Sequence, residues 1–302
     1  MPKIAVIAGG FSDERAVSLR SGAAVTAALK DAGYDADQLD LPAKLDDLQH
    51  ILVGYDAVFP VVHGKGGEDG TLQSWLETHQ IAYAGPDSAA SKLCFDKWRY
   101  GQLLADNGFL MPQGELVTSQ SWQQSAIVKG PFVLKPNDGG SSIDTFIVHQ
   151  PELADQSAIN GAFARHGEML LQELIEGTEI TIGVLLDEAL PVIEIVPPSG
   201  QEFDYENKYN GATQEICPPQ SVSEDLQTQA RDISLKIHRL TGCRDFSRTD
   251  IILANDQLYI LETNTIPGFT DQSLLPKAAA VAGYSMPNMV DMLVQVALAR
   301  QA

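Results

Sequence analysis

The chain is poor in cysteine and in basic residues, and it contains no long apolar run. Its three cysteines, Cys94, Cys217 and Cys243, show no metal-type spacing. An odd number argues against a disulfide framework, so the expected state is reduced. Lysine and arginine number 20 against 40 aspartates and glutamates, a net charge of −20. That excludes nucleic-acid binding through a broad basic face. A small phosphate ligand is still allowed, because it needs only a few placed cations. No apolar stretch approaches the roughly 20 residues that span a bilayer. The N-terminal apolar run, Ile4 to Ala8, is too short for a signal peptide. The expectation is a cytoplasmic protein with no membrane or nucleic-acid partner. The dinucleotide fingerprint G-x-G-x-x-G and the P-loop pattern G-x-x-x-x-G-K-S/T are both missing. So is any Ser-His-Asp or Cys-His arrangement with a local signature.

What is present is a globular composition, 44% hydrophobic and 20% charged over 302 residues, enough for two or three domains. One stretch organises the rest. Asp250 leads the apolar run Ile251 to Leu253, Asn255-Asp256 is a turn signal, and Leu258 to Leu261 follows. This pattern predicts a hairpin. It brings Asp250 near Glu262 and Asn264, which are two residues apart and so share a strand face. Three hard oxygen donors beside Arg248 suit Mg²⁺, which fills its remaining positions with phosphate and water. Exposed polar hairpin ends are the plain alternative. The Pro-Gly turn in Thr265-Ile-Pro-Gly-Phe-Thr270 weighs against that, since it can aim backbone N–H groups at an anion.

Upstream, Lys3 to Gly10 is a buried-type strand ending in glycines, followed by a helix from about Val17 to Ala32 stopped by Gly33. Glu14 on the intervening loop fits a grip on a substrate ammonium, or simply the positive end of the helix. Asp56 to Val62 is a second strand, and His63-Gly-Lys-Gly-Gly-Glu-Asp-Gly70 follows it. Four glycines in eight residues imply a close backbone approach, with His63 and Glu68 as candidate site residues. A helix from Thr71 to His79 and the segment Tyr83-Ala-Gly-Pro86 close a first domain, residues 1–95.

A second domain, 96–182, begins at Asp96-Lys97 and a helix from Trp98 to Asn107. Phe132 to Pro136 is a strand carrying Lys135, and Asn137-Asp-Gly-Gly-Ser-Ser142 is a small-residue loop able to lie over phosphates. Leu170 to Ile175 is read as a strand with free edge amides that could hold an adenine. It is expected to turn through Glu176 to Glu179 and pair with Ile180 to Leu186. Glu179 could accept from ribose hydroxyls. In the third domain, 183–302, residues 199–219 form a long polar segment that reads as a lid, or as an aromatic-pinned surface loop, and carry Lys208 and Tyr209. An amphipathic helix from Val222 to Leu240 and a terminal helix from about Asn288 to Arg300 complete the chain.

Together the lysines, the glycine-serine loop, the acidic triplet and the arginine make a site for a nucleoside triphosphate with Mg²⁺. Phosphoryl transfer is mostly positioning and charge neutralisation and needs no nucleophilic side chain. A carboxylate could be phosphorylated there and then attacked by an amine, with Arg248 and the Gly268 N–H facing the oxyanion.

These motifs, in this order, resemble the D-alanine–D-alanine ligases of the ATP-grasp superfamily. The likeness runs from Gly9-Gly-Phe-Ser-Asp-Glu-Arg-Ala-Val-Ser18 to Ser273-Leu-Leu-Pro-Lys-Ala-Ala279. Between lie the glycine-rich loop from His63, Asp96-Lys97-Trp98, Lys135-Pro136, Gly140-Ser-Ser142, Gly177-Thr-Glu179, Phe203-Asp-Tyr-Glu-Asn-Lys-Tyr209, Arg248-Thr-Asp250 and Glu262-Thr-Asn-Thr-Ile-Pro-Gly268. The resemblance implies an α/β (α+β) ATP-grasp fold of three domains, with ATP between the central and C-terminal ones. It implies that Lys97, Lys135 and Lys208 contact phosphates and Glu179 the ribose, with adenine against Glu173, Leu174 and Ile175. Asp250, Glu262 and Asn264 would hold two Mg²⁺, with Mn²⁺ able to substitute. Glu14 would bind the first D-alanine's ammonium, with Ser141 and Tyr209 hydrogen-bonded near it and His63 alongside. Ser273 and Leu274 would hold the second substrate's carboxylate, and Arg248 and Gly268 would face the acyl phosphate. The implied activity is D-alanyl-D-alanine formation for peptidoglycan synthesis. A paralogue joining other amino acids, or making a D-alanyl ester, is the alternative. Relatives of this kind are commonly dimeric, so a homodimer is expected. Gly139 and Asp144 depart from the family pattern, which has an acidic residue and a glycine there. Phe203 and Phe269 depart from a common Tyr and Met.

Overall fold

The computed structural model describes residues 1–140, 143–198 and 213–300. Ser141, Lys208 and Tyr209 therefore lie outside the described residues, as does most of the expected lid. The described residues form three sheets.

The first sheet is parallel. β1 (Lys3–Ala8) sits between β2 (Asp35–Asp40) and β3 (Ala57–Pro60). Ile4 to Ala8 is buried throughout, as expected of a central parallel strand covered on both faces. α1 (Arg15–Asp31) connects β1 to β2 and ends where Gly33 takes φ +93°, a conformation that favours glycine. Because the strands run parallel, the loops after β1 and β3 leave from the same edge. Ser12 Oγ there donates to the His63 carbonyl at 2.8 Å.

The second sheet is small and antiparallel, in the order β4 (Gly114–Thr118), β7 (Glu168–Glu173), β5 (Phe132–Pro136), β6 (Phe146–Val148). α6 (Gln156–His166) covers one face. The period of two in β5 is plain: Phe132, Leu134 and Pro136 are buried, and Val133 and Lys135 point the other way. Trp122 packs against Phe132 and Phe163, with centroids 6.1 and 6.4 Å apart, in a core of this sheet's own.

The third sheet runs β11 (Gln214–Ile216), β10 (Ile193–Val196), β8 (Thr178–Leu185), β12 (Phe246–Ala254), β13 (Gln257–Asn264), with β9 (Glu188–Ala189) paired to β8. α5 (Lys97–Asp106) and α7 (Glu224–Leu240) supply its core through Tyr100, Leu104, Ala230 and Ile237. α8 (Leu274–Val281) and α9 (Met286–Ala299) instead join the core of the first sheet. Phe269 stacks edge-on against Phe59 of β3 at 5.3 Å and against Phe246 of β12 at 5.0 Å. The first and third sheets are therefore welded through one aromatic cluster, while the second stands apart.

One expectation is overturned. The strands on either side of Glu176–Glu179 do not pair. β7 lies between β4 and β5, and β8 lies between β10 and β12. The short connection crosses from one sheet to the other. Gly177 makes the crossing feasible, because a Cβ there would meet the Leu253 carbonyl oxygen at 2.3 Å. The expected division between residues 182 and 183 consequently falls inside β8.

Candidate nucleotide and ligation site

The hairpin sets the geometry. Asn255 and Asp256 both take positive φ, 51° and 59°, as a two-residue turn of the type that matches strand twist requires. Asp250 stands directly across from Glu262, and Arg248 across from Asn264. Alternation puts all four on one face. The register shifts just beyond Asp250, so that Ile260 faces Ile251 and Leu261 is left over. A bulge of this kind re-aims side chains, and Leu261 joins Glu262 in lining the cleft below.

Asp250 is buried and fully engaged. Arg248 Nε donates to it at 3.0 Å and the Arg248 terminal NH₂ at 2.9 Å. Thr181 Oγ1 donates at 2.6 Å and Asn264 Nδ2 at 3.0 Å. Glu262 faces Lys97 Nζ at 3.4 Å, and the same ammonium donates to the Gly139 carbonyl. Two carboxylates brought together in a half-buried place are thus balanced by one guanidinium and one ammonium. Such groups are costly to bury without partners.

Between the second and third sheets lies a cleft of about 550 Å³. Lys97, Lys135, Glu173, Leu174, Ile175, Glu179, Asp250 and Glu262 all line it. Residues that reading the sequence passed over line it too: Val133 and Ile147 on one side, Ile195, Ile252 and Leu261 on the other. Two of the amides expected to be free at the end of β7 are taken up. The Glu173 N–H goes to the Gln113 carbonyl at 2.9 Å and the Leu174 N–H to Pro131 at 3.1 Å.

At the far end the cleft meets the loops of the first sheet. A Cβ on Gly140 would come within 3.0 Å of Glu14 Oε2, and one on Gly64 within 2.9 Å, so Glu14 lies between the two loops. His63 is buried. Its Nδ1 lies 3.0 Å from the Ile266 carbonyl and its Nε2 3.3 Å from Ser21 Oγ, which accepts from the Phe269 N–H at 3.3 Å. Burial, with Arg248 nearby, lowers the His63 pKa to about 4. The neutral ring then carries its proton on Nδ1, facing the carbonyl, and Nε2 accepts from Ser21. Glu68 is buried too. Burial and the charge of Glu14 push its pKa up to about 8, against a hydrogen bond from the Gly64 N–H at 2.7 Å.

Gly268 and Ser273 are neighbours, since a Cβ at Gly268 would sit 2.5 Å from Ser273 Oγ. Ser273 is the residue before α8, and its Oγ accepts from the Thr270 N–H at 3.1 Å. The Leu274 side chain is buried, and its backbone N–H stands at a helix N-terminus, an anion-favouring place. Through Ile266 and Ser21, His63 is tied to the turn that carries Gly268 and Ser273, and Arg248 and Asn264 meet at Asp250.

A small antiparallel sheet carrying Lys135, set over a larger one carrying paired carboxylates with Lys97 beside them and the cleft between, is the ATP-grasp arrangement. Models of the D-ala D-ala ligase C-terminus and N-terminus match residues 105–295 and 41–86. The chain is 38% identical over 302 residues to a D-alanine–D-alanine ligase of Nitratidesulfovibrio vulgaris (strain DP4), covering 98% of both. It is similar to the Bacillus anthracis D-alanine–D-alanine ligase complexed with ATP, with TM-score 0.86 and 29% identity over 100% of this chain and 99% of that one. It is also similar to the VanG D-Ala:D-Ser ligase of Enterococcus faecalis, with TM-score 0.81 and 29% identity over 98% and 99%. The chain belongs to the D-alanine–D-alanine ligase family.

Proposed function

We propose that the protein joins two D-alanines to D-alanyl-D-alanine, with conversion of ATP to ADP and phosphate, for peptidoglycan synthesis. The carboxylate of the first D-alanine attacks the γ-phosphorus, and ADP leaves. The amine of the second attacks the resulting acyl carbonyl, and the tetrahedral intermediate gives up the amine proton and expels phosphate, which leaves as hydrogen phosphate. The observation that carries this reading is the shared cleft: Asp250 and Glu262 line it together with Lys97 and Lys135, and its Gly140 edge touches Glu14.

In this reading Lys97 and Lys135 meet phosphates and Glu179 the ribose. The base lies against Glu173 to Ile175, where the Ile175 N–H and the neighbouring carbonyls are the groups to meet it. Asp250, Glu262 and Asn264 offer two carboxylates and an amide, a hard-oxygen set that fits Mg²⁺ once the Asn264 amide turns its oxygen inward. Two Mg²⁺, replaceable by Mn²⁺, would supply charge neutralisation at the β- and γ-phosphates. Glu14 holds the first ammonium beside neutral His63, Ser273 and the Leu274 N–H hold the second carboxylate, and Arg248 and the Gly268 N–H face the developing oxyanion. Ser141, Lys208 and Tyr209 belong to the same reading. A cytoplasmic homodimer completes it, and light scattering on the purified protein reads the assembly. The direct test is ADP release with D-alanine, D-serine and D-lactate supplied in turn. D-Alanine alone should give ADP and dipeptide in equal amounts, and no turnover with it overturns the proposal.

A further inference from the structure

Asp144 is one of few non-glycine residues with positive φ, at +54°, a region that costs an ordinary L-residue energy. Its carboxylate is held from one side. Arg165 Nε donates to Oδ2 at 3.0 Å and the Arg165 terminal NH₂ to Oδ1. His166 Nε2 lies 2.7 Å from Oδ2. Both partners are in the last turn of α6, the end that favours cations in any case. The Asp144 side chain is only 17% exposed, and the Arg165 fork holds its carboxyl below the ordinary range. Its two flanking residues, Ile143 and Thr145, line the nucleotide cleft.

The other end of the same loop is fixed by a separate device. The Asn137 side chain accepts from the Trp98 N–H at 2.8 Å and donates to Asp96 at 2.9 Å, while its carbonyl accepts from the Lys97 N–H at 3.1 Å. The upstream end is thus bolted to the start of α5 and the downstream end to the finish of α6.

We propose that Asp144 is a positioning residue for the nucleotide: clamped by Arg165 and His166, it holds Ile143 and Thr145 in the cleft wall. It takes the place of the glycine that this backbone conformation would favour. A glycine there would relieve the local conformation but leave the wall unanchored. Asp144 touches neither nucleotide nor amino acid in this scheme, so its loss should be felt in ATP affinity and hardly in the D-alanine sites. The inference rests on the nucleotide reading of the cleft given above.

Steady-state kinetics of D144G, D144N, R165M and D144G/R165M separate the contributions. Displacing the wall by about an ångström should raise KM for ATP roughly tenfold in D144G, with KM for D-alanine and Tm close to wild type. D144N accepts the same φ and keeps an oxygen for Arg165, so it should stay within about threefold of wild type. R165M should resemble D144G, and the double variant should be no worse than either single one, the signature of a shared contact. Unchanged KM for ATP in D144G overturns the proposal. So does a parallel rise in both KM values with a fallen Tm, which would mark a purely structural role. Equilibrium binding of a fluorescent ATP analogue is measured alongside. Weaker binding in D144G, even if the wild type forms no dipeptide, supports the anchor while the ligase reading fails; equal binding with an active wild type overturns the anchor alone.

Discussion

Glu262 and Asp250 oppose each other across the hairpin, yet the structure treats them differently. Asp250 is saturated by Arg248, Thr181 and Asn264, whereas Glu262 shares Lys97 with the Gly139 carbonyl. Glu262→Gln keeps the shape and removes the charge. It should lower kcat by roughly 100-fold or more, on the scale of losing one electrostatic group at a reacting phosphate, while the Tm stays near wild type. Substantial retained turnover would count against Glu262 as a metal ligand. Three buried groups set a pH signature. His63 and His238 are lowered from 6.5 to about 4, chiefly by burial. The unfolded chain therefore binds more protons than the folded one between those values, and stability is lost as pH falls from 6.5 towards 4. Glu68 is raised from 4.5 to about 8, so the folded chain binds more protons there and its contribution is lost as pH rises towards 8. Two histidines outweigh one glutamate below 6.5, and above it Glu68 acts alone. These groups place maximum stability near pH 6.5. Urea denaturation across pH 5 to 9 should show that maximum, and Glu68→Gln should flatten the alkaline side.

At the scale of elements, what could be read in advance was what is encoded locally. The hairpin was legible because Asn255-Asp256 is a turn that can be seen as one, and α1, α5, α7 and α9 were legible from their apolar period and end signals. β12 nonetheless begins at Phe246, four residues before Asp250, because polar Ser247 and Thr249 are buried in its ladder. α8 escaped notice: Pro276 sits inside its first turn and Ser273 makes no side-chain cap. The pairing of β7 with β8 was misread because partner choice is non-local. Four residues between two strands look like a hairpin whether or not the chain changes sheet. The bulge that turns Leu261 into the cleft leaves no composition signal either. Gly177 tests the crossing. Gly177→Ala would press a Cβ onto the Leu253 carbonyl and should destabilise by about 2–3 kcal/mol, the scale of overpacking. Gly33→Ala, with open space around it, should cost only the backbone strain of about 1–2 kcal/mol. Denaturant midpoints compare the two, and equal costs would remove the steric reason for the crossing.

Across the whole molecule, two of the four cores among the described residues set the jaws of the cleft. The first and third sheets share Phe59, Phe246 and Phe269 with α8 and α9, so the loops bearing Glu14 and His63 are fixed relative to the acidic hairpin. The second sheet, built on Trp122, Phe132 and Phe163, presents its lysine face as a separate jaw. Phe269→Ala should cost about 3–5 kcal/mol. It should also lower the midpoint for the first and third sheets together, as read by hydrogen exchange, and leave the second sheet's protection unchanged. Independent loss of the first sheet alone would deny the shared core. The site could be listed from sequence in fragments; their convergence is a property of the assembled sheets.

In the proposed reaction the paired carboxylates of the hairpin present metal-loaded ATP to an amino-acid carboxylate. A crystal structure with Mn²⁺ and a non-hydrolysable ATP analogue, phased for anomalous scattering, tests it most directly. Anomalous peaks should lie within bonding distance of Asp250, Glu262 and Asn264 and of the terminal phosphates, with the base against Glu173 to Ile175. Nucleotide density elsewhere, or a metal that leaves those three residues untouched, would contradict it.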